Sequence, residues 1–197
     1  MTTWIDEDKI MAHQFVVHNE QVFHLKNTYT YLWDWLKDEG FLGLTQDEEP
    51  IEERIETYYE EKRPQPGMRE IRVWWRTAMV PEGNTFYRYR LNFFYEVLHI
   101  KKVDIMFHGR KATADDGEII LRVDAILELD YQRKWRGHAI LKHLFPYFSK
   151  RIFKKIREDH EEELRRRAVR LQEDIKRLLE LQNYEKYPER FHVERGL

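Results

Sequence analysis

The sequence predicts an α+β fold in which one antiparallel sheet is covered by a long carboxyl-terminal helix. Segments in the middle of the chain alternate apolar and charged residues, which is typical of strands with one buried and one solvated face. The stretch from Ala139 to Tyr184 contains no glycine, and its apolar residues recur at three- and four-residue steps, as on one face of a helix. The 197 residues, 42% of them hydrophobic, are enough for a packed core.

The amino-terminal part predicts a strand followed by a short helix. Residues 1–13 have no clear period and are expected to be a lead-in. The segment from Phe15 to Leu25 is rich in β-branched and aromatic residues and predicts a strand. Asn27 or Thr28 can then cap a helix through a side-chain oxygen, and Gly40 ends it.

The centre of the chain predicts a meander of strands. An acidic loop is expected at 46–53 and a strand at about 54–62, although the apolar positions there would equally fit one helical face. The turn sequence at 63–67 is rich in Pro and Gly, and two further turns are expected at 81–84 and at 115–117. The acids of the meander all fall on its outer face: Glu96, Asp104, Asp124 and Glu128.

The terminal helix is longer than the sheet needs. At ~1.5 Å per residue, a helix of roughly 40 residues would span on the order of 60 Å, which exceeds a compact domain of this length. We therefore expect one domain over 14–158, an extension of the helix over 159–184, and a tail over 185–197.

The order of elements resembles the START-like and polyketide-cyclase-like proteins of the helix-grip superfamily. The resemblance covers roughly residues 14–158, and the segment VFHLKNTYTYLWDWL looks like the usual opening of such chains. It implies that a curved sheet grips the terminal helix and leaves a cavity between the two.

Such a cavity predicts non-catalytic binding of a hydrophobic small molecule or lipid, with a few polar groups that orient it. A solid core is the alternative, because protein interiors pack to high density. The predicted lining residues are Trp75, Thr77, Tyr87, Tyr89, Phe93, Tyr95, His99 and Phe107 on the sheet, and Leu141, Phe145, Phe148 and Ile152 on the helix.

Several chemistries find no support in the sequence. The absence of cysteine excludes disulfides, thiolate zinc sites and thiol nucleophiles. His138 and His143 lie five residues apart, which is unsuited to a shared metal ion on a helix, and no phosphate-binding or nucleophile motif is present. We expect no metal and no cofactor, and a cyclase- or hydrolase-like enzyme that uses the same cavity is the weaker alternative.

The terminal helix predicts one further function. Its second half carries an apolar stripe that would suit a seam with a partner helix, and hence a homo-oligomer, or a fold back onto the same domain. The stripe consists of Leu164, Ala168, Leu171, Ile175 and Leu178. The basic stretch 150–157 could meet nucleic acid or an anionic membrane surface, but the acidic block 158–163 favours a solvated helix.

The formal net charge of −2 conceals an uneven distribution. Residues 1–70 carry seven basic and 16 acidic side chains, a net charge of −9, and the remainder carries +7. No apolar run approaches the ~20 residues of a membrane-spanning helix, and the acidic start is unlike a signal peptide, so we expect a cytoplasmic protein. Abundant Glu, Lys and Arg without Cys is also a composition of heat-adapted proteins.

Overall fold

An open antiparallel sheet with a long helix packed on one face organises the molecule, as the α+β prediction requires. The computed structural model describes residues 3–44, 50–51, 55–107 and 110–181. Within these residues the strands are β1 (Thr3–Asp6), β2 (Lys9–Asn19), β3 (Leu42–Leu44), β4 (Pro50–Ile51), β5 (Glu56–Lys62), β6 (Arg69–Met79), β7 (Tyr87–Phe107) and β8 (Arg110–Leu129). The helices are α1 (Leu25–Asp38), α2 (Leu141–Tyr147) and α3 (Lys154–Leu181), and a π-helical segment, Phe148–Ile152, joins the last two.

The strands of the described residues follow the order β1-β2-β8-β7-β6-β3-β4, and β5 also pairs with β6. All the pairings are antiparallel, and one inner row runs across the sheet through Trp75, Phe93, Val123 and Phe15. These four side chains are buried in the main core. The outer face carries the predicted acids, of which Asp124 and Glu128 are nonetheless buried beside Arg88, Arg122 and other polar partners.

The amino-terminal elements differ from the prediction at their boundaries. Residues 1–13, expected as a lead-in, contain β1 and the first half of β2, because β2 pairs with β8 from Lys9 onward. Helix α1 begins earlier than expected, and the imidazole of His24 rather than Asn27 or Thr28 caps it by accepting the Asn27 N–H at 3.4 Å. The acidic loop expected at 46–53 lies largely outside the described residues.

The expected hairpin turn at 115–117 is wrong. Strand β8 continues through these residues, and its pairing with β7 extends as far as Phe107 and Arg110. The sheet has a bulge here, since the pairing of β7 and β8 shifts between Leu98 and Lys101, and His99 takes a positive φ of 55°. A Cβ on Gly117 would lie 2.7 Å from the Leu98 carbonyl oxygen, so glycine is needed for close approach and not for a turn.

The carboxyl-terminal helix is interrupted. Pro146 lacks the amide that an unbroken helix would bond to the preceding turn, and a π-helical segment follows in which the Phe153 N–H donates to the Phe148 carbonyl at 2.9 Å. The helical geometry then breaks at Phe153, which has φ −90° and ψ 17°. The 28 residues of α3 form a separate rod of about 42 Å.

The second half of the helix folds back onto the same domain, which is the alternative to a seam with a partner helix. Helix α3 packs on β2 and β8, and the stripe expected to be an interaction seam lies in the core of its own chain. Leu178 is the exception because it is half-buried, and Leu179 takes the buried position. The boundary expected at 158 falls inside α3, so the expected extension belongs to the domain as far as Leu181, where the described residues end.

None of the helices in the described part of the chain combines the length and the apolar character needed to cross a membrane.

The packing of α3 can be tested by Leu171→Ala, which should lower the free energy of unfolding by about 2–5 kcal/mol because Leu171 is fully buried. Val169→Ala is the matched control on the exposed side of α3, and we expect a change below about 0.5 kcal/mol. Urea denaturation measures the free energy of unfolding of both variants and of the wild type. Equal effects of the two substitutions would contradict this placement of α3.

Candidate functional site

Two pockets lie where the sheet, its loops and the first turns of α3 meet. The sheet-end pocket has a volume of about 290 Å³ and is lined by Thr85, Phe86, Tyr87, Asp130, Lys134, Trp135, Phe153 and Ile156. The His160 pocket has a volume of about 410 Å³, is more open to solvent, and is lined by Met79, Pro81, Glu82, Tyr89, Asp159, His160, Glu163 and Arg167. Tyr87 lines the sheet-end pocket and His160 lines the other. Their ring centroids lie 4.4 Å apart, so the two rings separate the two pockets.

A buried carboxylate builds one side of the sheet-end pocket. Asp130 follows β8 with a positive φ of 49°, and its carboxylate accepts the Trp135 N–H at 3.1 Å and the Arg136 N–H at 2.9 Å. The Arg136 side chain is held by Asp8, with 2.7 Å between Nη2 and Oδ2. Asp130 thus folds the loop over 131–136 back on itself and sets Trp135 against the end of the sheet.

Aromatic rings form the apolar wall of this pocket. The Phe86 ring lies 4.9 Å from Tyr87 and 6.0 Å from Trp135 between ring centroids. Trp135 in turn lies 6.1 Å from Phe153, at the break before α3. Lys134 is exposed at the edge of the pocket, and no ion pair or hydrogen bond of its side chain is found among the described residues. The pocket therefore offers aromatic faces and one unpaired cation.

A type II turn positions the polar group of the second pocket. The Asn84 N–H donates to the Pro81 carbonyl at 3.0 Å, and Gly83 has the positive φ of 69° that position i+2 of this turn requires. The Asn84 side-chain oxygen accepts the N–H groups of Phe86 and Tyr87, both at 2.8 Å. Two backbone donors therefore fix the amide, and its nitrogen faces His160.

This orientation determines which nitrogen of His160 carries the proton. The Asn84 amide nitrogen donates to His160 Nε2 at 3.1 Å, so Nε2 is the acceptor. In the neutral ring the proton is then on Nδ1, which lies 2.7 Å from the Tyr89 hydroxyl oxygen and donates to it. The hydroxyl proton of Tyr89 remains available to a molecule in the His160 pocket.

Burial shifts the titration of the groups in this network. It lowers the pKa of His160 below its usual 6.5, and the carboxylates of Asp159 and Glu163 oppose the shift to a smaller extent. It also raises the pKa of Tyr89 to about 12 and that of Tyr87 to about 12. At neutral pH the ring is uncharged, and its lone pair on Nε2 is taken by Asn84, which suits a positioning group better than a general base.

Two of the predicted ligand-site residues line the two pockets described above. Tyr87 and Tyr89 line the sheet-end and His160 pockets respectively. His99 is exposed at the bulge of β7, and Ile152 is exposed on the π-helical segment. The side chain of Phe107 lies outside the described residues. The other predicted residues are buried or half-buried away from the linings of the two pockets: Trp75, Thr77, Phe93, Tyr95, Leu141, Phe145 and Phe148.

The centre of the predicted site is filled by aromatic rings. The Trp75 ring lies 4.9 Å from Tyr95, 5.7 Å from Phe93 and 4.6 Å from Tyr29 on α1. Thr77 donates its hydroxyl proton to the Leu91 carbonyl at 3.0 Å. Because these groups contact one another, the alternative of a solid core describes this part of the inner face.

Sequence reasoning missed most of the lining residues. Phe86, Trp135 and Phe153 lie next to turns or helix breaks, where apolar residues have no period that would mark them. His160 is surrounded by acidic residues of a helix, and nothing in the spacing indicates that Asn84 and Tyr89 contact it. Two positions in the sequence could have indicated the pocket: Phe86 follows the turn at 81–84, and Trp135 lies between the basic residues Lys134 and Arg136.

One group of possible metal ligands occurs in the described part of the chain. A ligand atom from each of His18, Glu20 and Glu118 lies within 4.8 Å of the others. His18 Nε2 lies 2.7 Å from a Glu118 oxygen, and the group is largely exposed on the outer face of the sheet. An ordinary surface ion pair accounts for this geometry.

Comparison of the chain with protein-family models, curated proteins and solved structures found no match. The function is therefore inferred from the chemistry of the two pockets.

The state of His160 predicts a pH dependence of stability. The unfolded chain takes up a proton on this residue at about pH 6.5, whereas the folded protein resists protonation until the pH is lower. Stability therefore falls as the pH drops from about 7.5 to 5.5. Urea denaturation at several pH values should give a weaker pH dependence of the free energy of unfolding for His160→Gln than for the wild type. Parallel curves for wild type and His160→Gln would contradict a neutral His160.

Proposed function

We propose that the protein binds a hydrophobic small molecule or lipid with an anionic group in the sheet-end pocket, without catalysis. The observation that carries the proposal is a pocket of about 290 Å³ that combines aromatic walls with the exposed ammonium group of Lys134. Ligand pockets in proteins are mostly apolar and contain a few polar groups that fix orientation. In this proposal the ligand lies between the end of the sheet and the terminal helix, where the helix-grip resemblance predicts a cavity.

The walls favour a flat apolar body. Phe86, Tyr87, Trp135 and Phe153 present rings from the sheet, the loop and the helix break, so a planar ligand would meet an aromatic face on several sides. Asp130 contributes little repulsion toward an anion, because two backbone N–H groups bind its carboxylate and the guanidinium of Arg136 lies 3.7 Å away.

Two other functions have less support. Self-association through α3 loses its basis because the apolar stripe packs on the sheet of the same chain. A cyclase- or hydrolase-like activity with His160 as its base has less support, because Asn84 donates to the lone pair on Nε2 of that ring. We place the binding in the cytoplasm, since a chain without cysteine suits a reducing compartment.

Binding can be tested with 1-anilinonaphthalene-8-sulfonate, which has an aromatic body and one sulfonate. We expect its fluorescence to rise on titration with the protein, and native mass spectrometry to show a complex of one molecule each. Ile156→Trp should abolish this binding, because the larger side chain fills the pocket from its exposed side. Val169→Trp is the matched control on the exposed side of α3 and should bind like the wild type. Unchanged binding by Ile156→Trp would overturn the proposed location.

The role of Lys134 can be separated from that of the aromatic walls. Lys134→Gln should weaken binding of the sulfonate probe by roughly two- to five-fold, because a charge pair at an exposed side chain contributes up to about 1 kcal/mol. The uncharged analogue N-phenyl-1-naphthylamine should bind both proteins equally. Lys142→Gln, which removes an exposed cation outside the pocket lining, serves as the control. Equal loss for both probes would show that Lys134 acts on the shape of the pocket and not through its charge.

A further inference from the structure

We propose that residues 131–157, called here the basic segment, dock the protein on an anionic lipid surface. The segment comprises the loop after β8, α2, the π-helical segment and the start of α3. This inference does not depend on a ligand in the sheet-end pocket, and most of the residues that carry it do not line that pocket.

The charge of the basic segment is of one sign. Its 27 residues include nine Lys and Arg and no Asp or Glu, in a chain whose total charge is −2. Arg136 and Arg157 are held within the fold by Asp8 and by the Ser149 carbonyl. The other seven are exposed: Arg133, Lys134, Lys142, Lys150, Arg151, Lys154 and Lys155.

The same segment exposes large apolar side chains. Ile140 is 67% exposed, Leu144 41%, Tyr147 52%, Ile152 52% and Ile156 50%. The first three follow steps of four and three residues, which place them on one face of a helix. The five-residue step from Tyr147 to Ile152 crosses the π-helical segment, whose i→i+5 bonding places those two residues one turn apart.

The fold holds these side chains outward. On the opposite side Phe145 and Ser149 are buried, and Phe148 packs on Trp135 at 5.3 Å and on Phe153 at 5.9 Å. Because the inner positions are occupied, the exposed residues cannot turn toward the core. Apolar residues interspersed with cations on one surface are the features of segments that lie in a membrane interface.

A solvated helix pairs its cations with anions, and α3 shows that pattern. Arg165, Arg166 and Arg167 each contact the Glu four residues earlier, at 3.7 Å, 3.7 Å and 2.8 Å. Such pairs cannot form inside the basic segment, which has no acid, and Lys154 reaches one only at Glu158, 3.8 Å away. The acidic block that favours a solvated helix in the sequence thus belongs to α3, beyond the break at Phe153.

Exposed aliphatic side chains also distinguish a membrane from nucleic acid. Nucleic acid would use the cations for phosphates and aromatic rings for bases. It would gain nothing from Ile140, Leu144 and Ile152, whereas each of these gains free energy by leaving water for the lipid boundary. We therefore infer an anionic bilayer as the occupant of this surface.

Vesicle sedimentation of the full chain tests the contribution of charge. We expect binding to phosphatidylcholine vesicles that contain about 30% phosphatidylserine, weak binding without it, and loss at high salt. Arg151→Gln with Lys155→Gln should weaken binding roughly 25-fold, about five-fold for each charge removed. Arg151→Lys with Lys155→Arg keeps the charges and should bind like the wild type. Arg166→Gln with Lys176→Gln, on exposed positions of α3, should also leave binding unchanged.

A second pair of variants tests apolar insertion. Ile140→Ser with Ile152→Ser should weaken vesicle binding by roughly 10-fold or more, because two large apolar side chains no longer leave water. Ile5→Ser with Val16→Ser removes apolar groups on β1 and β2 that are 50% and 53% exposed, and this change should have no effect on vesicle binding. None of these four residues lines the sheet-end pocket, so binding of the fluorescent probe should be the same in all variants. Failure of docking and failure of ligand binding are thereby distinguished.

Three results would overturn the proposal. The first is no sedimentation of the wild type with vesicles that contain phosphatidylserine at low salt. The second is wild-type binding by the Arg151→Gln, Lys155→Gln variant, which would exclude the electrostatic contribution. The third is wild-type vesicle binding by the Ile140→Ser, Ile152→Ser variant, together with binding of a single-stranded oligonucleotide by the wild type that is tighter than its vesicle binding. This result would assign the surface to nucleic acid.

Discussion

The packing of the α3 stripe on the inner face of the sheet is the constraint on which the rest of the structure depends. Leu164, Ala168, Leu171 and Ile175 are fully buried against it. Because these residues pack on the sheet, the rotation of α3 about its own axis is fixed. A rotation by the angle of one residue would move the stripe into water. That rotation places His160, one turn earlier, over Tyr87 and Tyr89. The pocket geometry therefore follows from the hydrophobic core.

The break at Phe153 separates two different uses of one apparently continuous helix. After the break, apolar residues face the sheet and charged residues form pairs along the exposed side. Before it, aromatic residues such as Phe145 and Phe148 close the end of the core, while aliphatic residues and cations face solvent. Pro146 and the π-helical bonding that follows it make this change of direction possible.

The two proposals meet at the mouth of the sheet-end pocket. Lys134, Phe153 and Ile156 line this pocket and also belong to the basic segment. A protein that docks through this surface would bring the pocket to the lipid boundary, where a hydrophobic ligand with an anionic group is concentrated. In the sequence the basic segment is separate from residues 1–70, which carry a net charge of −9, although Asp8 contacts Arg136 in the fold.

The sequence by itself determined part of the local structure of this protein, where a pattern depends only on neighbouring residues, but it failed at the turn expected at 115–117. Alternation at Ile71, Val73 and Trp75 predicted β6 and its buried face, and the turn at 81–84 followed from Gly83 and Asn84. Tertiary structure alone decided where the long helix breaks and which half covers the sheet, since both halves carry apolar stripes of similar spacing.

Tertiary structure also decided the site. The contact of His160 with Asn84 and Tyr89 joins residues 76 and 71 positions apart, and no spacing rule connects them. The contact between the rings of Trp75 and Tyr95 was also decided by tertiary structure, although the sequence predicted correctly that both side chains point inward. Whether inward aromatic rings enclose a cavity or fill it depends on their mutual distances, and only the three-dimensional packing sets those.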